Sequence, residues 1–415
     1  MNATANRFIA SALMMLCLTP SVFAQDLLIS NATVHTMTDA GTLTNTDVLV
    51  ADGKIQRIGQ NLTAGDDVQI IDAAGAPLSP ALFAGVTVSG LSEVEAVREA
   101  VDSEYNELFT QLLHPEFDVR TAYNPLSSVI PITRIEGFGY TLLAATRGDR
   151  SVSGLGGLVR FDGGFDSFEG KPVLFVELTG HAAGSVGGSR AVHWMLLRQA
   201  FDDIDEENDD LMSPIGRQTL EQVKNKGLFV FHVNRAADIM QTLKFAKRHD
   251  LDAVIHGGRE AWMVAEHLAA ARVPVIINGL DNLPADFDSL GARLDNAALL
   301  DAAGVTVMFS SGETHNARKV RQAAGNAVAN GLNHNAALRA MTATPAKVFG
   351  GDERTIERGA RADLVLWSGD PLDVTTMATQ VIIGGKPDPM KSRQTLLRDR
   401  YLPTNSELPR AYIKP

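Results

Sequence analysis

The segment GLFVFH at residues 227–232 decides the fold prediction, because it is an unbroken apolar run that ends on a histidine. A helical pattern over residues 236–248 follows it. The unit then repeats as AVIH at residues 253–256, with a helical pattern over residues 259–271. Strands that are apolar throughout are buried on both faces, which is typical of parallel sheets covered by helices. These residues therefore predict the strand–helix units of a parallel sheet.

Further apolar runs extend this alternation in both directions. Later strands are predicted at residues 273–277 and 305–309, before helical patterns over 318–330 and 335–342. With the upstream runs included, the count reaches about eight strands, which favours a closed (β/α)8 TIM-type barrel. An open doubly wound sheet is the alternative, although no Gly-x-Gly-x-x-Gly turn follows a first strand to support it. The upstream runs lie at residues 81–88, 139–145, 155–161 and 173–178.

The two ends of the chain carry a different pattern. Short alternating segments between residues 26 and 72 predict strands, with a hairpin turn at Asp52-Gly53. Segments 362–367 and 380–383 predict further strands, which would complete one small composite β-sandwich built from both chain ends. The predicted domains are a signal peptide at 1–24, the sandwich at 25–78 and 356–390, the barrel at 79–355, and a C-terminal tail at 391–415.

The first residues of the chain predict export. Arg7 precedes an apolar run at residues 8–18 that is too short to span a bilayer, and the segment closes on Val22-Phe23-Ala24. This arrangement is typical of a cleavable signal peptide, and a membrane helix is the alternative. We therefore expect cleavage near Ala24 and a periplasmic or secreted protein. Its only cysteine, Cys17, would leave with the signal.

The charge balance limits the partners. The formal net charge is −12 at pH 7, so the chain would repel a phosphate backbone, and we expect no nucleic-acid binding. No second long apolar run follows the first, and we expect no membrane partner. The expected partner is therefore a small-molecule substrate or ligand. The oligomeric state stays open, with a homo-oligomer among the alternatives.

Two histidines end strands in successive units of the predicted barrel. His232 and His256 are 24 residues apart, and active sites of such barrels lie where the strands end. Both imidazoles should therefore face the same mouth. Two imidazoles and a carboxylate suffice to hold one metal ion with an open position, and Glu313, just beyond the 305–309 strand, is the carboxylate candidate. The alternative is that each histidine bonds a loop carbonyl.

The chain resembles the amidohydrolase superfamily, especially its exported imidazolonepropionase-like branch. The resemblance implies a metal-dependent hydrolase barrel with a composite sandwich. Such proteins typically cleave C–N bonds, other than ordinary peptide bonds, in cyclic amides, amidines or dipeptide-like compounds. The matching segments are ISNATV at 29–34, DGKI at 52–55, the two strand-end histidines, SGETHNAR at 311–318, TATPA at 342–346 and GARADLV at 359–365.

One motif of the resemblance is degenerate in this chain. The family's first barrel strand usually ends in a His-x-His pattern that holds the more buried metal, whereas Val86 and Val88 take both positions here. A valine has no lone pair to donate, so a binuclear centre is not expected. The family's bridging lysine has no counterpart, and Glu177 is the nearest acidic replacement. The expected cofactor is therefore one divalent metal, zinc by preference, on His232, His256 and Glu177, or none.

The resemblance also implies catalytic roles beyond the last strand. Glu313 would take a proton from water and pass it to the leaving nitrogen. His315 would stabilise the oxyanion or, alternatively, bond the loop backbone.

The glycine-rich segment at 180–190 supplies His181 and Arg190 as substrate-binding candidates, with loop packing as the alternative. Because both first-strand ligands are missing, the alternative function is a non-catalytic pseudoenzyme that binds a small molecule. A purely structural scaffold is the third alternative.

Overall fold

The computed structural model describes residues 26–65, 67–105, 111–146, 151–202, 204, 211–281 and 283–402. The predicted signal peptide lies outside these residues, as does the end of the predicted tail from residue 403 onward. Within the described ranges, no helix is long and apolar enough to cross a membrane.

The strands form two sheets, one at the chain ends and one in the middle of the sequence. In chain order the strands are β1 (Leu27–His35), β2 (Thr42–Ala51), β3 (Lys54–Gly59), β4 (Gln69–Asp72), β5 (Pro77–Pro80), β6 (Leu82–Thr87), β7 (Phe138–Leu143), β8 (Val152–Arg160), β9 (Phe168–Glu177), β10 (Leu228–Val233), β11 (Ala253–Gly257), β12 (Val275–Ile277), β13 (Val307–Phe309), β14 (Leu364–Trp367), β15 (Ala378–Ile383) and β16 (Lys386–Pro387).

Helices follow most of the later barrel strands. Local signals explain their ends: Ser213 caps one helix by accepting from the Gly216 N–H, and Asp250 ends another in the left-handed conformation. In chain order the helices are α1 (Val129–Arg134), α2 (Gly180–Ser185), α3 (Arg190–Asp202), α4 (Pro214–Lys226), α5 (Ala236–His249), α6 (Ala265–Ala271), α7 (Asn296–Ala302), α8 (Lys319–Ala329), α9 (His334–Ala340), α10 (Ala343–Phe349) and α11 (Arg393–Tyr401).

The central sheet runs in the order β6 to β13 and forms a nearly closed TIM-type barrel, as predicted. Its strands pair in parallel from β9 through β13, and β6 also pairs in parallel with β7. The exception is β8, which is antiparallel to both of its neighbours. A parallel crossover needs about a dozen residues or more, whereas only residues 161–167 connect β8 to β9. The expectation that every strand follows the (β/α) pattern is therefore wrong at this one strand.

The barrel closes through side chains that join its first and last strands. The Val86 N–H donates to Ser310 Oγ at 3.0 Å, and the Val88 N–H donates to Thr314 Oγ1 at 2.9 Å. The backbone at Gly85 has a φ of +85°, and a Cβ there would lie 2.9 Å from the Ser310 Cα. Close approach at this seam therefore depends on a residue without a side chain.

The barrel interior is a packed apolar core. Every second side chain along each strand points into this interior, because successive strand residues point to opposite faces. Helix α10 closes the bottom with Phe349, which is fully buried. The interior cluster includes Phe83, Tyr140, Leu158, Phe175, Val230, Val254, Ile276 and Met308.

The second sheet joins the two ends of the chain. Its order is β16, β15, β14, β5, β1, β2 and β3, with β4 beside β1. The central contact is the antiparallel pairing of β5 with β14, in which Ser79 lies opposite Val365. Trp367 is buried at this junction and donates its indole N–H to Ser79 Oγ at 2.8 Å. Because β5 leads directly into β6, this pairing also fixes where the barrel begins.

Replacing Gly85 with alanine should destabilise the protein by opening the barrel seam. A left-handed alanine costs about 1–2 kcal/mol, and displacing Ser310 should add about 1–3 kcal/mol. Gly41→Ala is the matched control, because Gly41 also has a positive φ (+68°) but no atom lies within 4 Å of where its Cβ would be. The urea midpoints of both variants measure the difference. Equal destabilisation would contradict a closing role for the Gly85–Ser310 contact.

Candidate functional site

Three neighbouring strands bring polar side chains to the barrel mouth. Strands β9, β10 and β11 pair in register, so that His232 lies opposite Glu177 on one side and His256 on the other. Each of these residues follows an interior residue by two positions, and therefore points to the interior side of the barrel. The interior residues two positions earlier are Phe175, Val230 and Val254. Sequence reasoning thus located this part of the mouth.

Glu177 and His232 form a hydrogen-bonded pair. Glu177 Oε2 lies 2.8 Å from His232 Nδ1, and the His256 ring lies beside that of His232 with centroids 4.9 Å apart. When Nδ1 carries the proton and donates to the carboxylate, Nε2 of a neutral His232 has the free lone pair. The carboxylate therefore both orients the imidazole and selects its tautomer.

The two histidines respond to this environment in opposite directions. Burial tends to lower the pKa of His232, but the charge of Glu177 and the hydrogen bond to it outweigh burial and raise the pKa above its usual value. Burial lowers the pKa of His256 to about 3, and repulsion from His232 acts in the same direction. Of the two rings, His232 is therefore the one that takes up a proton first as the pH falls.

A cavity of about 590 Å³ opens above the Glu177–His232 pair. The loop after β12 forms one wall of this charged pocket and presents Phe287, whose side chain is 85% exposed. Its two neighbours hold the loop in place, because Asp288 pairs with Arg190 and Asp286 lies 3.6 Å from Arg259. The remaining lining residues are Thr179, Gly180, His181 and Asn234. The pocket therefore has a charged floor and one bare aromatic ring at its rim.

His181 and Arg190, the two candidates from the glycine-rich segment, both line the charged pocket. His181 lies in α2, which begins where Thr179 caps the helix. Arg190 already pairs with two carboxylates of the chain, Asp288 and Asp238, the latter at 3.1 Å. Its role as the partner of a substrate carboxylate stays a prediction, and in this structure its guanidinium is already paired and holds the loop after β12.

The structure does not bring Glu313 and His315 to the histidine pair. The Glu313 carboxylate is half exposed and accepts from Lys319 Nζ at 2.9 Å and Asn316 Nδ2 at 3.1 Å. His315 Nε2 lies 3.2 Å from the Glu93 carbonyl oxygen, which matches the alternative in which this histidine bonds the loop backbone. Both residues are engaged in contacts of the loop after β13.

Sequence reasoning missed residues that line the charged pocket and one buried histidine near Glu177. Asn234 follows β10 by one residue, and Arg259 follows β11 by two, so their positions after strand ends were an available signal. His193 on α3 is buried near Glu177, and burial lowers its pKa to about 4. The sequence offers no local signal for this histidine, because it belongs to an ordinary amphipathic helix.

The described residues do not fit a metal centre of the kind the resemblance implies. No three His, Cys, Asp or Glu side chains among them are grouped to hold a metal ion. Glu177, His232 and His256 are neighbours, but they form a hydrogen-bonded pair and an adjacent ring rather than a ligand sphere. Across the mouth, Val86 and Val88 offer no donor atoms.

Fold and site together define a class: a TIM-type barrel with a β-rich domain built from both chain ends and a carboxylate–imidazole pair at its mouth. A sequence model of the amidohydrolase family matches residues 301–387, and no curated protein sequence matches the chain. An amidohydrolase from Thermotoga maritima has a similar structure, with a TM-score of 0.76 and 23% identity over 87% of this chain and 99% of that one. The family model thus supports the resemblance to the amidohydrolase superfamily over residues 301–387, and the solved structure shows that the fold is shared. The exported branch stays a prediction.

Two other solved structures share the fold at lower similarity. An adenosine deaminase from Xanthomonas campestris with bound zinc has a TM-score of 0.52 and 18% identity, covering 88% of this chain and 92% of that one. The N-isopropylammelide isopropylaminohydrolase from Burkholderia multivorans has a TM-score of 0.50 and 14% identity, covering 88% of this chain and 98% of that one. At these identities the likeness establishes the architecture.

Replacing Glu177 with glutamine should lower the pKa of His232 below that of an ordinary histidine. The substitution removes the charge that raises this pKa and leaves the burial that lowers it. A titration of the His232 ring protons by NMR, in wild type and variant, measures the change. An unchanged His232 pKa would show that the pair does not form in solution.

The low pKa of His256 should make the protein sensitive to acid. Its pKa of about 3 in the folded state is below that of an unfolded histidine, so stability is lost as the pH falls from about 6.5 towards 3. His256→Gln should therefore flatten the decline in urea midpoint between pH 7 and pH 4. His267→Gln is the control, because His267 is exposed on α6. An equally steep decline in His256→Gln would rule out this source of acid sensitivity.

Proposed function

We propose that the protein is a hydrolase that cleaves a C–N bond, other than an ordinary peptide bond, in a small molecule. The observation that carries the proposal is the Glu177–His232 pair, joined at 2.8 Å on the floor of the charged pocket. A histidine oriented by a buried carboxylate is a general base that can also return its proton as an acid. The match of residues 301–387 to the amidohydrolase family model supports the same reaction class.

The proposed reaction uses both protonation states of His232. The neutral ring accepts a proton from water through Nε2 while the water oxygen bonds to the carbonyl or amidine carbon of the substrate. Glu177 stabilises the imidazolium that forms. The C–N bond then breaks, and His232 transfers its proton to the departing nitrogen. Activity should therefore rise with pH through the raised pKa of His232, since only the neutral ring can start the reaction.

We propose that at most one divalent metal binds at this mouth, with zinc as the first choice to test. Val86 and Val88 take the positions of the two histidine ligands on the first-strand side, and Glu177 is engaged by His232. The zinc-bound deaminase with a similar fold is a reason to measure metal content directly.

A second candidate function is binding without turnover. It is favoured by the absence of a three-ligand metal grouping among the described residues and by the internal pairing of Arg190 and Arg259. In this case the charged pocket would hold a small molecule, and the amidohydrolase architecture would serve as a binding scaffold. This candidate predicts saturable binding of small amides with no product.

The location and partners remain proposals that rest on the sequence. Residues 1–24 carry the export prediction, and the net charge carries the expectation that no nucleic acid is bound. The expectation of no membrane partner rests on the lack of a second long apolar run in the sequence. A homo-oligomer is compatible with this proposal. The proposed working form is thus an exported protein acting on a small molecule.

The test combines metal analysis with a hydrolysis screen of cyclic amides, amidines and dipeptides. His232→Ala should reduce kcat/KM at least about a hundredfold, as expected for loss of a general base. Glu177→Gln should reduce it and shift the pH profile to lower pH. His267→Gln, an exposed histidine on α6, should match wild type.

Three outcomes would overturn parts of this proposal. Full activity in His232→Ala would exclude the Glu177–His232 mechanism. A loss in Glu313→Gln as large as that in His232→Ala would return proton transfer to the residue that the resemblance assigned. Saturable substrate binding by wild type with no turnover of any compound in the screen would establish the binding-only function.

A further inference from the structure

A second cavity lies at the same mouth, on the side away from Glu177. It has a volume of about 450 Å³ and is formed by the ends of β6 and β7, the segment after β6, and the loop after β13. None of the lining residues of the charged pocket contributes to it. The mouth is therefore divided into the charged pocket and this second one, which we call the neutral pocket.

The floor of the neutral pocket is apolar. Val86 and Val88 lie two positions apart on and just beyond β6, so their side chains share one face. Ala144 adjoins them from the end of β7, and all three residues are nearly buried. Such a floor stabilises an apolar ligand surface by removing it from water, and it penalises a charged group.

Hydroxyl groups surround this floor, and most of them are already satisfied. Thr87 Oγ1 lies 2.8 Å from Thr141 Oγ1, and Thr146 donates to Ser103 Oγ at 3.0 Å. Ser92, which also lines the neutral pocket, differs from these residues. It is only 2% exposed, and its hydroxyl has no hydrogen-bond partner among the described residues. An unpaired buried hydroxyl is unfavourable, and a ligand atom can supply the missing bond.

The charged groups of the neutral pocket lie at its rim and are engaged with one another. Arg98 forms an ion pair with Glu104, and both side chains are more than a third exposed. Glu95 lies 3.4 Å from His315 Nδ1. The rim thus carries two carboxylates and one guanidinium that contact neighbouring groups, while the interior offers apolar surface and one unpaired hydroxyl.

We propose that the neutral pocket is a second binding site, specific for a small uncharged molecule with an apolar body and one hydrogen-bonding group. A lactam has this chemistry: its methylene face would pack on Val86 and Val88, and its amide would pair with Ser92 Oγ. The inference concerns the opposite side of the mouth from the Glu177–His232 pair. Because cyclic amides are also screened as substrates of the charged pocket, the Ser92, Val88 and Glu177 variants below decide which pocket binds the lactam.

The test titrates ε-caprolactam into the full chain by calorimetry, with 6-aminohexanoate as a charged probe of similar length. Wild type should bind the lactam saturably and the charged probe at least about tenfold more weakly. Ser92→Ala should weaken lactam binding about three- to tenfold, the loss expected for one hydrogen bond. Val88→Asp should weaken it at least about tenfold, because it places a charge in the floor.

Two further variants keep the test decisive. Val88→Leu fills the pocket without adding charge and should also weaken binding. It therefore replaces Val88→Asp in the test if that variant misfolds. Glu177→Gln alters only the charged pocket and should leave the lactam dissociation constant within about twofold of wild type. The proposal is wrong if wild type shows no saturable lactam binding. It is equally wrong if Glu177→Gln abolishes binding while the Ser92 and Val88 variants retain it.

Discussion

The in-register pairing of β9, β10 and β11 is the constraint on which the mouth of this barrel depends. Parallel strands in register place residues of equal height side by side, and the two-residue period then sends the same position of each strand inward. The apolar interior below requires that alternation, because a slip of one residue would expose the core. Glu177, His232 and His256, which lie above this interior, are therefore held side by side in the same register.

Strand positions were predictable here because the barrel strands are apolar throughout, as in residues 227–232. The direction of β8 was not inferred, although the shortness of the 161–167 connection was an available signal. Strand propensity and the hydrophobic pattern do not indicate the direction in which a strand runs. Only the length and chemistry of a connection constrain it before pairing partners are known.

The residues of the candidate site that lie at strand ends were predictable, whereas those whose positions depend on loops were not. Glu177, His232 and His256 were found because each ends a recognisable strand. The pairing of Arg190 with Asp288 was not foreseen, because the two residues are 98 positions apart in the chain and no local pattern reveals such a pairing. No local sequence pattern marks Phe287, because its place at the rim of the charged pocket depends on ion pairs of its neighbours Asp286 and Asp288 that hold the loop.

The antiparallel β8 gives this barrel an uneven folding order. Strands β7, β8 and β9 form a meander whose partners are close in sequence, so little chain entropy is lost when they pair. The closing bond from Val86 to Ser310 joins residues 224 positions apart and carries a much larger loop-closure cost. The meander is thus suited to serve as an early nucleus, and the seam beside the neutral pocket to be the last part of the barrel to assemble.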